Sequence, residues 1–120
     1  MSYKIALEER SGYLYVKLEG PESYSEALRF WRDLSERSRS TGLRKFLIVD
    51  EVRGKLSSSQ IFTLSKKVAE LFSGKVIAYV DPKEETFDAN RFGETVVSNR
   101  GVVAKVFHSE SEATEWLADK

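Results

Sequence analysis

The chain has 120 residues, of which 41% are hydrophobic and 32% charged, a balance that suits one compact domain over residues 1–120 and excludes both disorder and a membrane-embedded body. Cysteine is absent, which removes disulfide frameworks, thiolate metal sites, iron–sulfur clusters and cysteine nucleophiles. Nineteen basic side chains balance nineteen acidic ones, so the chain lacks the basic excess of a dedicated nucleic-acid binder. Met1-Ser2-Tyr3-Lys4 carries no apolar signal-peptide run and no stretch is long enough to span a membrane, so the expected location is the cytoplasm.

Tyr3 to Glu8 alternates apolar and polar residues, Ser11-Gly12 interrupts, and Tyr13 to Glu19 resumes the alternation. This pattern predicts an antiparallel hairpin with Leu14, Val16 and Leu18 on one face and Tyr13, Tyr15 and Lys17 on the other. Tyr13 and Tyr15 are candidates for a homodimer face unless a helix of their own chain covers them. Gly20-Pro21 ends the strand, and Ser23 with Glu26 has the spacing of a capping box. The helix that follows has Ala27, Leu28, Trp31 and Leu34 as its inward stripe and closes near Gly42. Phe46-Leu47-Ile48-Val49, ending in Asp50, reads as a central strand buried on both faces. A loop through Arg53-Gly54-Lys55 leads to a second capping box, Ser57 to Gln60, and to a helix with Ile61, Leu64, Val68, Leu71 and Phe72 inward. Val76 to Val80 is a further buried strand, Phe87 to Asn99 a third helix with Ala89, Phe92 and Val96 inward, and Val102 to Phe107 a fifth strand. A third box at Ser109 opens a last helix pinned by Ala113, Trp116 and Leu117. The order β-β-α-β-α-β-α-β-α implies an α/β domain: a mixed five-stranded sheet, antiparallel at its first pair and parallel beyond, with four helices.

Reactive chemistry is sparse. The single histidine, His108, has no nucleophile elbow to serve and reads as a surface or cap residue. The carboxylate pairs Glu8-Glu9, Asp50-Glu51 and Glu84-Glu85 have no metal-ligand spacing and read as solvated charges. Gly54-Lys55 before Ser57 fails the nucleotide-loop pattern, because position 49 is Val and Leu56 follows the lysine. Nothing asks for a catalytic residue, a metal or a cofactor, and the expectation is a protein without enzyme activity. Ser57, Ser58 and Ser59 with Arg53 and Lys55 do gather at a helix start, where free N–H groups and partial positive charge suit an anion or a phosphorylated serine. The same serines also suffice as ordinary caps.

The order of elements, the segment Ser57-Ser58-Ser59-Gln60-Ile61, and the tail Arg91-Phe92-Gly93-Glu94-Thr95-Val96-Val97-Ser98-Asn99-Arg100-Gly101 with Val106-Phe107-His108 and Ala113 to Leu117 resemble the STAS domains, the sulphate-transporter and anti-sigma-factor-antagonist group. Within it the likeness is nearest to small stand-alone bacterial antagonist-like proteins. The resemblance implies a regulatory module whose partner is a protein, such as a kinase or an anti-sigma-like protein, and whose contact is tuned by a phosphorylatable serine within Asp-Ser-Ser-Gly-Leu. Ser58 and Ser59 fall at the acceptor positions, while Ser57 stands in place of the Asp and Gln60 in place of the Gly. The partner surface then comprises Asp50, Glu51 and Gln60 beside those serines. A second reading is a carrier of a small apolar or anionic, lipid-like ligand held between sheet and helices, where Phe62, Phe72, Tyr79, Phe87 and Phe92 supply aromatic surface.

Overall fold

The structure is a computed structural model that describes residues 3–120. Its elements are β1 (Lys4–Arg10), β2 (Tyr13–Pro21), α1 (Tyr24–Thr41), β3 (Lys45–Arg53), α2 (Ser58–Leu71), β4 (Val76–Val80), α3 (Glu84–Ser98), β5 (Val103–Phe107) and α4 (Glu110–Ala118). The strands lie in sequence order across one sheet, β1 antiparallel to β2 and every later pair parallel. This is the mixed sheet with four helices that the alternation of strands and helices implies.

Sequential strand order decides the layers. Each crossover through α1, α2 and α3 advances by one strand in the same direction, and a uniform right hand places all three helices on one face of the sheet. On that face Leu14, Val16 and Leu18 of β2, Phe46, Ile48 and Val52 of β3 and Ile77 of β4 meet Phe30, Trp31 and Leu34 of α1, Val68 and Ala69 of α2 and Val97 of α3. The opposite face, with Leu47, Val49, Ala78, Val80 and Phe107, is covered by α4 through Ala113, Trp116 and Leu117. β3 therefore buries both of its faces, the reason for its unbroken apolar run. No helix is long and apolar enough to cross a membrane among the described residues.

The structure corrects three sequence boundaries and one helix face. Pairing with β2 continues past Asp50 as far as Pro21 opposite Arg53, so Asp50, Glu51 and Arg53 are strand residues and Gly20 and Pro21 form the last pairs of β2 instead of following it. Pro21 is tolerated because, among the described residues, β1 stops pairing at Glu19 and that side of β2 has no partner. α3 starts at Glu84, three residues before Phe87, because Asp81 accepts hydrogen bonds from the Lys83 N–H (3.0 Å) and the Thr86 hydroxyl (2.6 Å) and organises the first turn. Phe92 is 41% exposed. The position one residue on, Gly93, faces α2 instead, where a Cβ would stand 3.1 Å from Ser65 Oγ, so α2 and α3 cross closely there.

The helix starts use their capping residues differently. At α2 the box is complete: the Ser57 hydroxyl accepts from the Gln60 N–H (3.1 Å) and the Gln60 side-chain oxygen accepts from the Ser57 N–H (2.9 Å). At α1 Ser23 caps Glu26, but the Glu26 carboxylate accepts from the Tyr3 N–H (3.0 Å) and Glu22 takes the Ser23 N–H (2.9 Å). At α4 the Glu112 carboxylate accepts from the Ser109 hydroxyl (3.0 Å).

Phe72, wholly buried, packs edge-on against Trp31 (ring centroids 5.5 Å apart) and Phe46 (5.2 Å), joining α1, α2 and β3. Phe72→Ala is expected to lower unfolding free energy by about 3–5 kcal/mol in urea denaturation, with a folded far-ultraviolet spectrum retained.

Candidate functional site

The β2–α1, β3–α2 and β4–α3 connections meet at one end of the sheet, outside the carboxyl ends of the parallel strands, the usual place for binding chemistry in an open α/β sheet. A polar cluster is built there. Asp50 continues the even-numbered face of β3 after Phe46 and Ile48, so its side chain joins the helix-covered side and is buried. Its Oδ1 accepts from the Val52 N–H (2.8 Å) and its Oδ2 from the Tyr79 hydroxyl (2.8 Å). Asp81, fully buried just beyond β4, accepts at Oδ2 from Thr86 Oγ1 (2.6 Å) and Asn90 Nδ2 (2.6 Å). Between the two acids lies Lys83, whose Nζ donates to Asp81 Oδ1 (2.9 Å) and to the Asp50 carbonyl (2.7 Å) and stands 3.5 Å from Asp50 Oδ1.

The electrostatics follow from these contacts. Burial pushes the Asp81 carboxyl up, but the hydrogen bonds from Thr86, Lys83 and Asn90 outweigh it and hold the group below its ordinary range. Burial works against the Lys83 charge, yet Asp81 and Asp50 outweigh it and hold the ammonium above its ordinary range. Burial, reinforced by the Asp50 charge and hydrogen bond, pushes the Tyr79 hydroxyl well up. Glu22, at the β2–α1 junction, accepts from the Tyr3 hydroxyl and from the Ser23 N–H. Burial pushes its carboxyl up against those two bonds.

Beside the cluster a cavity of about 110 Å³ opens between the sheet and α1, α2 and α3. Leu18, Ile77 and Ala104 contribute from the sheet, Trp31, Ile61, Leu64 and Val68 from α1 and α2, and Glu22, Asp50, Tyr3 and Tyr79 form its polar end. Small side chains leave this space: Ala27, Ser65, Gly93 and Ala104 all line it.

The residues singled out from the sequence divide into five groups. Ser57, Ser58, Ser59, Gln60, Arg53 and Lys55 are all exposed around the start of α2, with the Ser57 hydroxyl and Gln60 amide oxygen engaged in the capping box. Glu51 is exposed and paired with Lys17 (3.0 Å), but Asp50 is buried, so it is neither a solvated charge nor part of a partner surface. Tyr13 and Tyr15 are half-buried and pack against the buried cluster to which Ala113 and Leu117 of α4 belong, while the Arg10 guanidinium lies 3.7 Å from the Tyr15 ring centre. Their own chain thus covers much of the face considered for a dimer. His108 is exposed and stacks on Phe87 with ring centroids 3.7 Å apart. Of the five aromatics considered for a ligand pocket, Tyr79 alone lines the cavity, because Phe72 fills the core, Phe87 lies under His108, and Phe62 and Phe92 face outward. Its other aromatic walls are Tyr3, Phe30 and Trp31. Sequence reasoning missed Asp81, Lys83, Asn90 and Glu22. The one available signal was an acid directly after an apolar strand, repeated at Asp50 and Asp81.

Breaking the cluster separates its parts. Lys83→Met, which leaves two buried carboxylates facing each other, is expected to cost roughly 3 kcal/mol in chemical denaturation. The Asp81 carboxyl is depressed in the folded state, so its stabilisation is present above its unfolded value near ~3.9 and is lost as pH falls through the folded value. The stability gap between the parent and Asp81→Asn is therefore expected to be widest above about pH 4 and to narrow on acidification.

No family model and no curated protein matches the chain. Among solved structures it is similar to an uncharacterized protein of the DUF3478 family from Shewanella loihica PV-4, described as having a SpoIIAA-like fold. The two share 20% identity with a TM-score of 0.58, over 97% of this chain and 94% of that one. The chain therefore has the SpoIIAA-like fold, which is the fold of STAS domains and the one the sequence resemblance implies.

Proposed function

We propose that this chain is a binding module without enzyme activity that holds a small apolar ligand in the cavity between the sheet and α1, α2 and α3. The observation that carries the reading is the cavity itself, apolar along its walls between the sheet and the helices and polar at the end nearest the carboxyl ends of the strands. At about 110 Å³ it is smaller than the roughly 150 Å³ apolar cavity that takes benzene, so it suits a short alkyl chain or a single ring that stays partly outside. The neighbouring acids support binding over catalysis. Each oxygen of Asp50 and Asp81 already accepts a hydrogen bond, so neither is left as an unengaged base.

Titration of isotope-labelled protein with benzyl alcohol is expected to shift the amide resonances of Leu18, Ile77 and Ala104 in a saturable manner. Ala104→Leu, which fills the cavity from β5, is expected to abolish those shifts while leaving the rest of the spectrum dispersed. Unshifted cavity resonances at millimolar ligand would overturn the reading.

A second function rests on a different observation. Ser58 and Ser59 present exposed hydroxyls at the start of α2, with Arg53 and Lys55 exposed on the approach to it. A phosphate there is stabilised by the helix start and by nearby cations. We infer that this corner is where a cytoplasmic protein partner, such as a regulatory kinase or anti-sigma-like protein, docks and is switched. Leu56 and Ile61 border this corner and also line the cavity, so ligand and partner would share a wall. Incubation with cell extract and ATP is expected to place phosphate on Ser58 or Ser59. Mass spectrometry that finds all three serines unmodified, together with unchanged partner capture by Ser58→Glu, would count against the switch.

A further inference from the structure

The cavity's charges narrow the class of ligand, an inference that rests on the ligand-binding reading above. The charged residues that line the cavity are Glu22, Asp50, Glu94 and Lys105. Lys105 lies opposite Ala78 in the β4–β5 register, on the face that α4 covers, and its Nζ sits 5.5 Å from the Phe107 ring centre. It therefore contributes backbone to the cavity wall and directs its ammonium to the other side of the sheet. Lys83, the nearest other cation, spends its three donors on Asp81 Oδ1, the Asp50 carbonyl and Asp50 Oδ1. An anionic ligand thus finds no unengaged ammonium at the polar end.

The acids differ among themselves. Asp50 is saturated by Val52, Tyr79 and Lys83, and Glu94 Oε1 accepts from the Val106 N–H (2.7 Å). Glu22 is different. The hydrogen bonds from the Tyr3 hydroxyl and the Ser23 N–H both arrive at Oε1, so Oε2 accepts none among the described residues and Glu22 has no cationic partner there. The aromatic rings of Tyr3, Trp31 and Tyr79 line the same cavity, and ring faces attract a cation where water is excluded.

We propose that the ligand is a small primary amine with an apolar body, its ammonium donating to Glu22 Oε2 and its hydrocarbon lying along Trp31, Ile77 and Val68. A charge-assisted hydrogen bond of this kind favours an amine over its neutral isostere by about tenfold.

The test uses matched one-ring probes and the Trp116→Phe variant, which leaves Trp31 as the sole tryptophan reporter. Benzylamine, benzyl alcohol and benzoate are titrated near neutral pH and Trp31 emission is followed. Benzylamine is expected to bind about tenfold more tightly than benzyl alcohol, with benzoate the weakest. Glu22→Gln is expected to bring benzylamine down to the level of the alcohol and to leave alcohol binding unchanged. Because an amide oxygen still accepts from Tyr3 and Ser23, alcohol binding also reports that this variant keeps its fold. If alcohol or benzoate binds as well as the amine, or if Glu22→Gln leaves the amine unaffected, the amine proposal falls while the cavity reading stands. If none of the three probes binds, both fall.

Discussion

Lys83 is the point at which three elements are made to agree. Its ammonium reaches the carbonyl and carboxylate of Asp50 on β3 and the carboxylate of Asp81 beyond β4, while its own backbone caps α3. Two buried acids at adjoining strand ends would repel each other in a poorly screening interior, so the fold at this end tolerates both only with a cation between them. The position of that cation is set by Asp81, which holds the Lys83 N–H and, through Thr86 and Asn90, the first two turns of α3. The direction in which α3 leaves the sheet, and hence where Gly93 meets α2, follows from this arrangement.

The cavity can be traced to the same cause. α3 runs close to α2 because residue 93 lacks a side chain, yet Ala104 on β5 and Ala27 on α1 are too small to fill the space between the helices and the sheet. Tight helix contact and an unfilled space beneath it therefore belong to one design: backbone approach is close near the rim, and side-chain volume is withheld beneath. The rings and aliphatic chains around that space belong to elements otherwise committed to the main core, so the walls are firm.

Local alternation carried most of the fold into view. The hairpin faces, the doubly covered β3 and the helix stripes all follow from residues two to four apart, and an α/β order leaves few topologies once crossovers share one hand. What escaped was long-range. Asp50 looks like a strand terminator because it is polar, and only the pairing of Gly20 and Pro21 with Val52 and Arg53 carries the strand past it. Its partners, Tyr79 and Lys83, lie 29 and 33 residues away, and no periodicity reports a contact at such a distance. Phe92 likewise looked inward because it is aromatic, whereas the glycine beside it takes the inward position. The serine cluster at α2 was legible as a cap, and the complete Ser57–Gln60 box bears that reading out.

Glu94 has one more effect, at the outer margin of the sheet. Its carboxylate occupies the Val106 N–H, which points away from β4, and Val103 nearby is half exposed. An unpaired, partly apolar margin of this sort invites a foreign strand to zip on, and a carboxylate seated on one of its donors denies that strand a rung. Self-assembly by strand addition is thereby discouraged on the β5 side. The opposite margin, β1, relies instead on the charges of Lys4, Glu8, Glu9 and Arg10, so high salt would weaken its protection first.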